Sequence, residues 1–300
     1  MRTNGHHGTS DAKGVASRTF RRFRDADATN HARALAYQSS FVIISGFIGM
    51  VGLASVLDIE ALRRTVVEMS KTLAPGPAGR LLEDAASQGA SGGARAMVLG
   101  LGSALIGMTF AMAQVERSGN RIAGRNEDRP AGRRYGVAAV LALTAGVAMA
   151  LGALVLAGGE SIARGFGWDE AATLWSVVRW PLGVALLGIA VYVLFRVAPD
   201  GPIASPRGLM AGTVVALVLW VVFTLGLAIY FSVSSGSEQT YGSLVTVIAL
   251  LLWAGATSTA LHVGLAVAAA WEPGAGADGV VSVPEAGASI AGDRGRVSRR

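Results

Sequence analysis

Six stretches of this chain run for about 20 residues with almost no charge. That is the length a helix needs to cross a hydrocarbon core of about 30 Å at ~1.5 Å per residue. They lie near Ala36–Leu57, Ala96–Val115, Tyr135–Ala157, Val177–Val197, Gly208–Phe231 and Ser243–Ala270. Inside a bilayer every backbone N–H and C=O must be paired within the protein, so only helices and closed barrels cross it. Continuous apolar windows bounded by Arg and turn residues suit helices, not the alternating strands of a barrel. The expected fold is all-α: a polytopic membrane protein with six transmembrane helices and a helical hairpin between the first and second.

The charges sit between the windows. Seven Lys and Arg precede the first window, five, six, two, two and none fall in the successive connections, and four lie in the tail. The alternation places the N-terminus, the second and fourth connections and the C-terminus on one side, which the positive-inside rule makes cytoplasmic. The expected location is the bacterial cytoplasmic (inner) membrane, with both termini inside. Residues 1–30 contain no apolar run followed by a small-residue cleavage site, so no signal peptide is expected. The net charge of +6 therefore flanks membrane spans on one face and does not point to nucleic acid. Arg18, Arg21, Arg22 and Arg24, interleaved with Phe20 and Phe23, either set topology alone or form a basic aromatic segment against anionic lipid, at about 1 kcal/mol per charge.

Residues 1–33 read as a basic N-terminal segment, 34–272 as the membrane domain and 273–300 as a disordered tail rich in Gly, Ala, Ser and charge. The connection from Asp58 to Arg95 is not a plain loop, because Ile59, Leu62, Val66, Met69 and Leu73 recur at intervals of three and four. Pro75-Gly76-Pro77 ends that helix. Leu81, Leu82, Ala85 and Ala86 suggest a second short helix before the Gly-rich run Gly89 to Gly93. The stripe is expected to pack on the other helices.

Two motifs fail on context. Gly89-Ala90-Ser91-Gly92-Gly93 spells a nucleophile elbow, but no strand-to-helix turn is readable there. Gly274 to Gly279 spells G-x-G-x-x-G in the tail instead of after a strand. The chain has no Cys, neither Lys stands in a P-loop, and the four His at 6, 7, 31 and 262 have no metal-ligand spacing. No cofactor and no metal are expected, and no enzyme.

Polar residues in or beside the spans carry more weight, because such groups usually face the bundle or water. Asp27, Arg33, Tyr37, Gln38, Ser39 and Ser40 gather at the start of the first span, where they either line a polar cavity or are a snorkelling Arg with an interfacial Tyr. His262 in the sixth span either bonds across helices, which is the expected role, or shuttles a proton. Glu160 and Arg179 are candidates for an ion pair, Trp168, Trp175 and Trp180 for an interfacial belt, and Pro181 starts or kinks the fourth span. Ser45 with Gly49, Ser103 with Gly107, Ala148 with Gly152 and Ala260 with Gly264 have the spacing of close helix packing.

The run Arg33-Ala34-Leu35-Ala36-Tyr37-Gln38-Ser39-Ser40-Phe41 after Asp27 resembles the opening motif of the YihY/BrkB family of bacterial inner-membrane proteins, the YhjD-like branch in particular. Asn120 within Glu116 to Arg125, Arg133 with Arg134, Pro206 to Gly212, Tyr241-Gly242-Ser243-Leu244 and Leu250-Leu251-Leu252-Trp253 extend the resemblance over about residues 20–272. Two features depart from it. Gly264-Leu265-Ala266 stands where the family often has Gly-Ala-Glu, and Ile43 and Ile44 lie near the place of a missing proline. Members were once labelled ribonuclease BN, a label regarded as misassigned, and the YhjD branch is associated with export of lipid or lipopolysaccharide precursors.

The resemblance implies a transporter or flippase-like protein for an anionic lipid or a lipid-linked envelope precursor, with membrane lipids as surroundings. Arg33 would attract a headgroup, Tyr37 and Gln38 would bond it, Asp27 would stand beside them, and Asn120 would order the inner loop. Tyr241 and Gly242 would form the outer turn before the sixth span. The competing reading is a scaffold that binds envelope-assembly proteins through the outer hairpin. Ribonuclease activity is not expected, because the inner connections offer few carboxylates, namely Glu116, Glu127, Asp128 and Asp200.

Overall fold

A computed structural model describes residues 7–73, 76–152, 155–156, 172–233 and 243–271, and among them there is no strand. The chain order is α1 (His7–Asp25), α2 (Ala28–Val56), α3 (Glu60–Leu73), α4 (Pro77–Ile122), α5 (Ala131–Leu141), α6 (Ala172–Val197), α7 (Pro206–Val233) and α8 (Ser243–Ala270). A π-helical turn, Ala142–Gly146, continues α5 to give an apolar stretch Ala131–Gly152. That stretch and α2, α4, α6, α7 and α8 are the six helices long and apolar enough to cross a membrane. The protein is an integral membrane protein. α7 states the physics most directly: Val214, Val218, Val221, Val222, Leu225 and Ile229 all point outward, a surface that water would not tolerate and lipid does.

The centre of the bundle is α2 packed along α4, with α8 against both and α7 against α8. Without a hydrophobic drive between helices in lipid, close approach relies on small residues. Gly49 and Gly100 meet face to face. A Cβ on Gly49 would stand 2.5 Å from the Leu101 nitrogen, and one on Gly100 would run into the Gly49 backbone. Gly107 against Phe41 and Val42, Gly152 against Leu186 and Leu187, and Gly264 against Gly212 and Ala216 make the same kind of contact. The glycines of all four spaced pairs therefore lie at helix crossings.

Three details refine the sequence reading. The basic N-terminal segment is helical, and α2 begins at Ala28, so Arg33 already lies within it. The second hairpin helix expected around residues 81–86 is present as the first part of α4, and it runs on through the Gly-rich stretch until the non-helical Gly93 (φ 50, ψ −128), where a kink joins it to the membrane-crossing part. A Cβ there would meet nothing within 4 Å, so backbone φ alone demands glycine. Pro181 lies inside α6.

At the end of the bundle away from α1, Val66 is fully buried and Leu62 half-buried against a cluster that includes Phe47, Val51, Leu82 and Leu250. The α3 stripe thus packs on the bundle at those positions. The side chains of Met69 and Leu73 lie outside the described residues. On the opposite face of α3, Arg63 and Arg64 donate to the Glu60 carboxylate at 2.7 and 2.9 Å. These bonds, Arg63 first and Arg64 second, hold the Glu60 carboxyl down to about 2. A depressed folded-state value stabilises above the unfolded value of about 4.5 and is lost as pH falls toward 2. The protection factor of the first turn of α3, exchange corrected for the intrinsic pH dependence of the amides, is expected to be unchanged between pH 7 and pH 5. It should fall below about pH 4, an effect absent in Glu60→Gln.

Candidate functional site

A helix ends with carbonyls that have no partner and with the negative pole of its dipole. At the end of the bundle that carries α1, three helices finish, and an arginine from elsewhere serves each. Arg22 donates to the Ile122 carbonyl at the end of α4 (3.0 Å), and Arg18 to the Ala270 carbonyl at the end of α8 (3.0 Å). Arg129 serves α6, donating to the carbonyls of Val197, Ala198 and Pro199 at 3.3, 2.7 and 2.8 Å. Burial, and secondarily the charge of Arg18, lower the Arg22 guanidinium from its ordinary value. The two readings offered for Arg18 and Arg22, topology or lipid contact, therefore omitted a third role: they bind helix ends. This basic end is held together by guanidinium groups.

Arg129 also joins two carboxylates. Its Nη1 donates to Glu116 Oε2 at 2.9 Å, and its Nε lies 3.1 Å from Asp200 Oδ1. The Arg129 and Glu116 side chains are almost wholly buried. Glu116 and Asn120 are four apart and share a face of α4. Asn120, with no exposure at all, donates to Asp128 Oδ1 at 3.1 Å and accepts from the Asp200 N–H at 2.8 Å. Arg125 reaches the same stretch, donating to the carbonyls of Asp200 and Pro202 at 2.7 Å each. The connections 123–130 and 198–205 are thus zipped to each other and to the end of α4.

Between the helices lie polar side chains that no ion pair neutralises, from the half-buried His31 near the basic end to the buried His262. Gln114 on α4 donates from Nε2 to His31 Nδ1 on α2 at 2.7 Å. His262 on α8 is 2% exposed, and its Nδ1 bonds the Ser258 carbonyl at 2.7 Å. The bond expected across helices is therefore made within α8, to the carbonyl one turn back. The other nitrogen, His262 Nε2, is buried without a partner, as is Oε1 of Gln38 on α2. Among the described residues no group of three or more His, Cys, Asp or Glu could hold a metal ion.

The residues singled out from the sequence separate into several environments. Asp27 joins α1 to α2 in the left-handed region (φ 50), and its carboxylate accepts from Asn30 Nδ2 at 2.7 Å. Arg33 is exposed and donates to Asn30 Oδ1 at 3.1 Å. Tyr37, one turn on, is 74% exposed on the outer surface of α2. Gln38 is half-buried on another face, and Asn120 belongs to the zipped connections. Tyr241 and Gly242 lie outside the described residues, as do Glu160, Trp168, the G-x-G-x-x-G run and the tail 273–300. Arg179, whose pairing with Glu160 cannot be placed, stands over the Trp180 ring at 5.7 Å.

Gln114 and Arg129 escaped the sequence reading. A Gln within an apolar window signals a buried polar contact by its depth alone, and that signal was available. Arg129 had none, since an arginine in a charged connection reads as solvated.

A protein-family model described as Virulence factor BrkB matches residues 19–280. A ribonuclease-like protein of Bacillus subtilis (strain 168), YfkH, is 29% identical over 85 residues. Those residues make up 28% of this chain and 30% of that protein, so the chain spans less than a third of the relative it matches. No solved structure matches the chain.

Proposed function

This chain belongs to the BrkB family of membrane proteins, and from that premise we propose that it moves an anionic lipid or lipid-linked envelope precursor across the bacterial inner membrane. The observation that carries the reading is the set of polar groups inside the bundle: the His31–Gln114 pair, the bare Nε2 of His262 and the unpartnered Oε1 of Gln38. Polar atoms at such depth cost free energy, and in membrane proteins they mark pathways and binding sites. In this reading the basic end faces the cytoplasm, where arginine is retained. Arg33 gathers an anionic headgroup at the membrane surface, with Asp27 and Tyr37 flanking it. Gln38 receives the headgroup on the bundle side, Asn120 keeps the inner connections ordered, and Tyr241-Gly242 forms the outer turn.

The test is transbilayer movement of fluorescent phosphatidylglycerol in proteoliposomes, read by dithionite quenching. Movement at least tenfold above protein-free vesicles is expected, with fluorescent phosphatidylcholine left near the background. Arg33→Ala and Gln38→Leu should each reduce the rate about tenfold, the size of losing one charged hydrogen bond. A background rate for both lipids in well-folded protein would overturn the reading.

A second reading, docking of envelope-assembly proteins on α3, draws on the exposed Glu60, Arg63 and Arg64 face that the bundle leaves uncovered. Cross-linking from Arg64, on that exposed face, favours it if one defined protein is captured, and opposes it if only lipid or the chain itself is.

A further inference from the structure

The bonds around the buried His262 and the half-buried His31 determine where their protons are. A carbonyl oxygen only accepts, so the 2.7 Å contact from His262 Nδ1 to the Ser258 carbonyl places a hydrogen on Nδ1. In a neutral ring Nε2 then carries a lone pair, and this is the atom buried without a partner. At His31 the arrangement is reversed. The Gln114 amide nitrogen donates to Nδ1, so the hydrogen of the neutral ring is on Nε2. One imidazole therefore holds an unused acceptor and the other an N–H.

We infer that His262 Nε2 is a proton-binding site within the membrane, and that its protonation opens the α2, α4 and α8 contact to water. The inference rests on the transport reading for its purpose, since a bound proton supplies what drives the movement. The chemistry is a single transfer. A solvent proton adds to the Nε2 lone pair and produces an imidazolium with N–H on both nitrogens.

That cation has no acceptor for its new N–H in the closed bundle, so it favours any arrangement that admits water or a headgroup oxygen. No carboxylate on the facing helices neutralises it. On α8 His262 is the sole titratable side chain, and α7 carries only Arg207 at its start and Tyr230 near its far end. On α4 the nearby groups are Glu116, committed to Arg129, and the cations Arg117 and Arg121. On α1 Arg18 and Arg22 are bound to helix ends. The charges that act on His31 are those of Asp27, Arg117, Arg121 and Asp128, all at the basic end. His262 lies eight residues before the end of α8, about 12 Å into the bundle at ~1.5 Å per residue. His31 lies near the start of α2, with Asp27 and solvent beyond it.

The test uses the full chain in nanodiscs of phosphatidylethanolamine and phosphatidylglycerol, with nitrogen-labelled imidazoles and His262→Gln to assign the signal. The expected result is a bare Nε2 at pH 8 that becomes protonated by pH 4 while the protein stays folded. A nitrogen that remains bare to pH 4 overturns the inference. The opening is read in the Cys-free chain with Ser258→Cys, using a water-soluble methanethiosulfonate. Its labelling rate is taken relative to Ser17→Cys on the exposed face of α1, which cancels the pH dependence of the thiol itself. That ratio is expected to rise tenfold or more from pH 8 to pH 4 and to stay flat when His262→Gln is added. A flat ratio with His262 present, or a rise that survives its removal, overturns the inference. Neither readout measures lipid, so the two ideas fail separately. Protonation without lipid movement removes the transport reading alone. Lipid movement with a permanently bare Nε2 removes the proton site alone.

Discussion

Arg129→Ala is expected to leave little folded protein. Its guanidinium faces the buried Glu116 carboxylate and the carbonyls that end α6, so truncation strands an uncompensated charge together with unpaired helix-terminal oxygens. Removing one partner of a buried pair costs about 3–5 kcal/mol. For a chain of this size that corresponds to roughly 10 °C or more in thermal unfolding. Arg129→Lys keeps the charge but not the planar fork that reaches a carboxylate and three carbonyls, so it should fall between the parent and Arg129→Ala. Combining Arg129→Met with Glu116→Gln removes both charges and should recover part of the loss. The measurement is thermal unfolding in detergent together with the fraction that stays monodisperse. Parent-like stability in Arg129→Ala would show that the clamp is ornamental.

Gly49→Leu should be as damaging for a different reason. A flexible neighbour can move aside, but the atoms facing Gly49 are the Leu101 nitrogen and the Gly100 carbonyl carbon, part of the α4 backbone itself. Any side chain there forces α2 and α4 apart along a contact that small residues maintain, at about 3 kcal/mol, the upper end for overpacking. Gly102→Ala is the control. It sits on α4, the facing helix of the same contact, with nothing within 4 Å of a new Cβ, and should be neutral or gain up to about 1 kcal/mol in helix propensity. Equal losses in both variants would mean that glycine acts here through helix flexibility and not through contact.

The helical spans were legible because their cause is local. A window must be apolar and of a given length wherever it lies in the bundle, and composition reports that directly. The stripe Leu62 and Val66 was legible for the same reason, as an unbroken period along one helix. The candidate site was legible only in part. His262, Gln38 and Asn120 stood out as polar residues in or beside apolar sequence, and the structure buries His262 and Asn120 fully. Arg129 was invisible because its environment is made by residues about 70 positions away, the end of α6 and the connection after it. The Gly-rich run at 89–93 was legible as the place where the second hairpin helix ends, but not which glycine ends it: Gly89 faces the Ile48 carbonyl of α2, and only Gly93 uses the freedom of glycine.

The sequence by itself determined that this protein is a bundle of membrane-crossing helices of the BrkB family, and it also located the arginine-rich connections. Hydrophobic length and charge are properties of segments and survive without knowledge of neighbours. Only the tertiary structure decided which arginines bind helix ends, which carboxylates are paired, and which nitrogen of His262 is left bare. Each of those depends on a distance of about 3 Å between groups far apart in the chain, and hydrogen bonds lose their strength within less than an ångström of that separation.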